Sequence, residues 1–267
     1  MPLVNKVKIG PVRIERAGDY TKADQDPAAA VPSEQLARLP QGKNLEELRR
    51  DYYNFPFAMV SEPKPGRRAD GTTPERLYWF YEDKLISSKE TFLLPQLEFC
   101  VDLARGRGLF VAAKELLEFD LKTGASSKIP YHGWTLDASP RGAHYLLGDY
   151  VLITSITMWL GRRDSSGVKL ETQLDAKSWW HLSIDQRVVL ATSREDWLLL
   201  GFHEGRFRKL AQFEAVTLRT VRRIAEDKIR VYLPDGAFDI LGARDAWDHC
   251  FRGGHETEYP LLDQKPV

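Results

Sequence analysis

The chain has 267 residues, of which 43% are hydrophobic and 28% charged. That composition supplies enough apolar side chain to bury a core and excludes intrinsic disorder of the whole chain. Lys plus Arg equal Asp plus Glu at 38 each, so no global field recruits nucleic acid or an anionic membrane, and any such contact must be local.

In chain order, Met1 to Gly10 interleaves Lys6 and Lys8 with Val4, Val7 and Ile9, unlike the unbroken apolar core of a secretory signal. No run reaches the roughly 20 apolar residues of a membrane helix. Cys100 and Cys250 lie far apart without metal-type spacing. A reducing cytoplasm is therefore the expected location, with a single long-range disulfide as the alternative. Residues 3–16 alternate as one or two strands broken at Gly10-Pro11, and Ala17 to Pro32 reads as a polar linker. Asn44 followed by Glu47 forms an N-cap signal. Leu45, Leu48 and Tyr52 then share one face of a predicted helix that Pro56 stops. Pro63 to Gly71 is a loop by composition.

From there the chain repeats. Apolar runs begin at Phe110, Tyr150, Val188 and Ile229, and each is followed nine positions later by an aromatic: Phe119, Trp159, Trp197 and Phe238. Both series step by 40, 38 and 41 residues. A period near 40 with several short strands and no long helix predicts a radial β-repeat. Leu77 to Tyr81, with Ile86 nine residues after Leu77, reads as a degraded fifth unit, although only 33 residues separate Leu77 from Phe110. Turns are expected at Lys122-Thr123-Gly124, Asp164 to Gly167 and His203-Glu204-Gly205, and opening strands at Trp134 to Ser139 and Trp180 to Asp185. That makes about four strands per period, the number in a propeller blade.

Leu109 to Ile129 resembles a generic propeller blade, and Glu118 to Gly124 is similar to the strand-and-turn phrase of quinoprotein-type repeats. The resemblance is to the β-propeller class and covers about half the chain. The Trp-Asp dipeptide of one propeller family occurs once, at Trp247-Asp248, outside the equivalent position. The resemblance implies blades around a channel, with loops at one end forming a binding surface. The expected fold is thus all-β, propeller-like, with four or five short blades and a small helical N-terminal portion. The expected divisions are an extension over 1–56, a repeat body over 57–250 and a tail over 251–267. Two packed antiparallel sheets are the alternative arrangement of the same strands.

Functional signals are sparse. The four repeat aromatics read as core residues between neighbouring sheets. Trp179 and Trp180 point to opposite faces of a strand, so one of them is available to a partner. Asp248, His249, Cys250 and His255 offer mixed ligand atoms near Gly253-Gly254, but without a paired metal motif no metal or other cofactor is assigned. Activation of Cys250 by His255 as a nucleophile has no supporting motif. Phosphate-loop, zinc-protease and serine-elbow motifs are missing from the sequence, and Arg105-Gly106-Arg107-Gly108 precedes a strand instead of opening a helix. Arg206 to Arg230 holds eight basic residues against three acids, with Phe207 and Phe213 among them.

These features lead to an expected non-catalytic protein-binding role, as a cytoplasmic antagonist of a toxin or enzyme (an immunity protein) or an assembly scaffold. The expected partner-binding residues are Trp179, Trp180, His203, Arg206, Arg208, Arg222 and Arg223; no catalytic residue is assigned, and a protein partner is preferred over a membrane. One alternative is an enzyme with a channel site using His181, Asp185 and Glu195. The other is nucleic-acid binding through the basic segment 206–230.

Overall fold

A computed structural model describes residues 4–7, 10–17, 49–54, 57–63, 75–81, 84–91, 99–102, 106–111, 115–120, 125–132, 142–154, 157–177, 180–192, 196–214, 220–233 and 236–266. The N-terminal strands β1 (Val4–Val7) and β2 (Arg13–Arg16) flank Gly10-Pro11. Next comes an antiparallel meander of β3 (Arg49–Asn54), β4 (Phe57–Pro63), β5 (Glu75–Tyr81) and β6 (Lys84–Thr91). A second contains β7 (Phe99–Asp102), β8 (Arg107–Val111), β9 (Glu115–Asp120) and β10 (Ser126–His132). The third is β11 (Gly142–Tyr145), β12 (Tyr150–Thr154), β13 (Thr157–Arg163) and β14 (Val168–Lys177), and a short parallel pair between β14 and β10 hydrogen-bonds it to the second. The fourth is β15 (Trp180–Asp185), β16 (Val188–Thr192), β17 (Asp196–His203) and β18 (Arg206–Glu214). β19 (Thr220–Ala225), β20 (Lys228–Leu233) and β21 (Gly236–Leu241) begin a fifth sheet, and β2 pairs with β21 as its fourth strand.

Side-chain alternation explains how these sheets stack. Val151 and Ile153 of β12 pack with Leu109, Leu116 and Ile129 of the second sheet, whereas the intervening Leu152 packs with Val189 and Ala191 of the fourth. Val188 and Leu190, in turn, face Ile229 and Val231 of the fifth sheet. Successive residues of a strand thus enter two different junctions, and both faces are buried. This is why the repeats read as continuous apolar runs instead of alternating ones. A sheet buried by a neighbour on each side is the propeller arrangement. Two packed sheets would have buried only one face of each. The first strands line up as well: β11 lies against β7, and β19 against both β15 and β3.

The repeat aromatics fall on equivalent strands but not on equivalent faces. Trp159 and Trp197 are both buried, on the third strands of their sheets. Trp159 faces the second sheet and Trp197 the fifth. The reason is register: Trp159 pairs with Ile153 but Trp197 with Thr192, so the intervening turns differ by one residue and the side chain changes face.

One expectation is corrected. Arg49–Asn54 is a strand, not the second half of a helix; its Tyr52-Tyr53 pair favours the pleated surface once β4 supplies a partner. The first half of that expected helix lies outside the described residues. The strand expected over Trp134 to Ser139 lies outside the described residues; β11 begins at Gly142. The irregular spacing of the first unit has a simple source. Leu77 belongs to a third strand, whereas Phe110 belongs to a second, and residues 64–74 separate β4 from β5.

Polar ties and edge covers complete the body. Glu118 of β9 is buried and accepts hydrogen bonds from Tyr145 and Arg163 of the third sheet and from Arg107 at 3.2 Å. After β21 the chain forms α1 (Ala243–Trp247), a π-helical turn over Asp248–Arg252 and a 3-10 turn over Glu256–Glu258. It then bridges Arg208 through Leu261 and ends in β22 (Gln264–Pro266), paired with β14. β1 covers the other half of the β18 edge. Edges closed by the chain's own termini offer no template for strand addition there.

Candidate functional site

In a meander, the turn joining strands one and two lies at the same end as the turn joining strands three and four. In the third to fifth sheets these turns carry Asp149, Asp164 to Gly167, Asp185, Glu204-Gly205 and Glu226-Asp227, and α1 follows the third strand of the fifth sheet at this same end. Leu147 N donates to Gln186 O at 3.0 Å, linking two of the turns.

The β17–β18 turn is the centre of this end. Glu204 has φ 47° and Gly205 φ 78°, the two left-handed residues of a tight hairpin whose twist matches its strands. A side chain at Gly205 would put its Cβ 2.9 Å from Tyr150 Oη, so glycine satisfies both backbone and space. The residues before the turn diverge. Phe202 is buried with its ring 5.3 Å from Tyr150. His203, on the opposite face, lies 5.1 Å from Phe251 and 5.8 Å from Trp247.

Cations cap both aromatic groups. Arg162 sits 5.0 Å over Tyr150 and donates to its hydroxyl at 3.2 Å. Arg187 lies 5.0 Å and Arg252 5.5 Å from the Trp247 ring. Trp247 is itself locked, with Nε1 donating to Phe202 O at 2.8 Å. Arg206 is exposed at the turn. Acids share this end: Glu204 lies 3.8 Å from His203 and Asp248 3.1 Å from Arg252, and the neighbouring turns carry Asp149 and Asp164. Arg162 spends one donor on the Tyr150 hydroxyl and Arg252 one on Asp248, and a guanidinium held over a ring offers its remaining N–H groups to a ligand while its stem covers apolar surface. Arginines on rigid aromatics can therefore bind carboxylates without first paying for order.

A second charged group at this end runs from part-buried Asp185 and Arg244 to exposed Glu226. Asp185 caps its own turn, accepting from Arg187 N at 2.7 Å and Val188 N at 3.2 Å, and its other oxygen accepts from Arg244 Nε at 3.0 Å. Arg244 also bonds Glu226, and this bond holds the Glu226 carboxyl below its ordinary range. Arg223 is buried and donates to Ala225 O at 3.3 Å and Glu226 O at 2.7 Å. Burial, with Arg244 nearby, depresses its pKa to about 10. Burial raises Asp227, although Arg244 N donates to it at 3.0 Å.

The expected partner residues thus divide. His203 and Arg206 lie on the arginine–aromatic face. Arg223 points inward, and Arg208 is spent on the C-terminal segment, donating to Glu256 O at 2.8 Å and Tyr259 O at 2.9 Å and pairing with the Glu256 carboxylate at 3.2 Å. Trp180 belongs to β15 and Arg222 to β19, while Trp179 lies outside the described residues. Of the alternative catalytic set, Asp185 is engaged by the turn and Arg244, His181 belongs to β15, and Glu195 lies outside the described residues. Sequence reasoning missed Tyr150, Arg162, Arg187, Trp247, Phe251 and Arg252. The one local signal was Trp247 and Phe251, four apart on one helical face.

No protein-family model matches the chain, and neither does any curated protein. Among solved structures, PorZ, a bacterial surface component of the type-IX secretion system of Porphyromonas gingivalis, is similar at TM-score 0.44 and 11% identity, over 73% of this chain and 25% of that one. AztD of Citrobacter koseri is similar at 0.41 and 15%, over 81% and 59%. The β-propeller domain of the Trilobed protease of Pyrococcus furiosus follows at 0.36 and 15%, over 69% and 68%. The chain therefore spans about a quarter of PorZ and less than two thirds of AztD. It is the strand order and the two-sided burial described above that carry the propeller architecture.

Proposed function

We propose that this protein is a non-catalytic binding protein that engages an acidic protein partner through the face around the β17–β18 turn. The observation that supports this is the placing of Arg162 over Tyr150 and of Arg187 and Arg252 over Trp247, itself packed on Phe251, with exposed Arg206 at the adjoining turn. Arg, Trp and Tyr are the residue types that dominate binding energy at protein interfaces. A cationic rim on a fixed aromatic base also speeds encounter with an acidic surface. In a cytoplasmic setting, the role that fits is antagonist of a toxin or enzyme, or assembly scaffold.

The test is a pull-down with tagged protein from native lysate at low and moderate salt, with proteins and nucleic acids identified together. A stoichiometric acidic protein that is retained by the wild type and lost by Arg162→Glu/Arg206→Glu, with the circular dichroism spectrum unchanged, supports the reading. Equal retention by both forms, or recovery of nucleic acid alone, overturns it.

A further inference from the structure

Beyond the arginine–aromatic face, the chain folds back on itself through Gly253-Gly254 and brings two imidazoles together. The rings of His249 and His255 stack with centroids 4.1 Å apart and planes within 6°. His255 Nδ1 lies 2.9 Å from Glu258 Oε1, and His249 Nδ1 lies 2.9 Å from Tyr259 Oη. One donor atom from each of His249, His255 and Glu258 falls within 4.8 Å of the other two.

We propose that His249, His255 and Glu258 form a site for a divalent transition-metal ion of the Zn2+ type. Two imidazole nitrogens and one carboxylate oxygen are the donors such borderline ions prefer, and three protein ligands leave a fourth position open to water or to a partner's side chain. The support around the ligands is already built. Tyr259 is 1% exposed, and its hydroxyl engages His249 Nδ1, which fixes that ring and leaves Nε2 for the metal. At Gly253 a Cβ would come 2.6 Å from His249 O and 3.0 Å from His255 Cδ2, so only glycine lets the two rings approach.

Lone pairs lie in the ring planes, and in parallel rings they do not converge. Coordination therefore requires one imidazole to turn. His255 is the ring that moves: it is 45% exposed and follows two glycines, whereas His249 is held by Tyr259. Glu258, 55% exposed, follows from the other side, so the metal ties the segment 253–258 to the π-helical turn. The neighbouring candidates stay outside this set. Asp248 is paired with Arg252, and Cys250 is fully buried in the core below. Metal competes with protons for the imidazoles, so affinity falls as the solution is acidified. The site does not depend on the identity of any protein partner.

The experiment is calorimetric titration of the full chain with ZnCl2 in a non-chelating buffer. One saturable ion per chain is expected. His255→Ala and Glu258→Gln should each lower affinity by more than about tenfold, and Tyr259→Phe by about tenfold, as loss of an outer partner does. Cys250→Ala should leave it unchanged. Absence of a saturable site in the wild type, or full binding by His255→Ala, overturns the proposal. His255 and Glu258 are exposed, so their variants keep the fold, and circular dichroism checks that they do.

Discussion

Two sets of arginines distinguish the inside of this molecule from one end of its surface. Arg208, Arg223 and Arg230 are close in sequence, yet each is consumed internally: Arg208 by the C-terminal carbonyls, Arg223 by the turn after β19, and Arg230 by Asp239 at 2.8 and 3.1 Å. Arg162, Arg187, Arg206 and Arg252 are scattered in sequence, yet they meet around one hairpin. A basic run is therefore not a basic surface. Strand geometry sends neighbouring residues to different environments, and the sheet stack brings distant ones together.

Variants that remove internal groups should act on stability, and those on the face should act on binding. The largest loss is expected from Trp197→Ala, which empties a fully buried site between the fourth and fifth sheets and should cost about 3–5 kcal/mol in urea denaturation. Arg208→Ala removes the donor to two carbonyls and should cost about 2 kcal/mol, with faster proteolysis of the segment after Gly253. If it instead abolished binding at unchanged stability, the division between the two arginine sets would fail.

Alkaline pH probes the inside separately. Burial pushes the Cys250 thiol up from 9.0 to about 11 and the Tyr259 hydroxyl up from 10.0 to about 12. A raised acid contributes stability that is complete below its unfolded pKa and lost as pH rises through the folded one. Wild-type stability should therefore fall relative to Cys250→Ala between pH 9 and 11, read from urea midpoints. A Cys250→Ala difference that stays flat across this window would mean the thiol is solvated.

The smallest stability effect is expected at Arg206. Arg206→Ala should stay within about 0.5 kcal/mol of wild type, as exposed substitutions do. It should nevertheless reduce the salt sensitivity of partner capture. An unchanged salt profile would remove Arg206 from the face and leave Arg162, Arg187 and Arg252 to carry it.

Much of the architecture was legible. The period near 40 residues, the turn at His203-Glu204-Gly205 and the strand over Trp180 to Asp185 all have counterparts in the structure. The site was less so. His203 and Arg206 could be placed at the proposed face because they flank a turn. Arg208 and Arg223 could not be placed, because nothing local records that an arginine points at a carbonyl 48 residues away, as Arg208 does at Glu256, or into its own turn. The metal-type cluster was half legible. His249 and His255 were visible beside Gly253-Gly254, but Cys250 was grouped with them and Glu258 was overlooked. The π-helical turn buries the sulfur, and the 3-10 turn over Glu256–Glu258 presents the Glu258 carboxylate instead.

What the sequence determined by itself was therefore periodic: strands, turns and the need to bury both faces of each sheet, since apolar runs and glycine turns act over a few residues. The tertiary structure decided which junction each aromatic enters, because a one-residue change in a turn reverses a strand's faces. It also decided which strand closes the fifth sheet, and which arginines stay at the surface once the internal carboxylates and carbonyls have taken theirs.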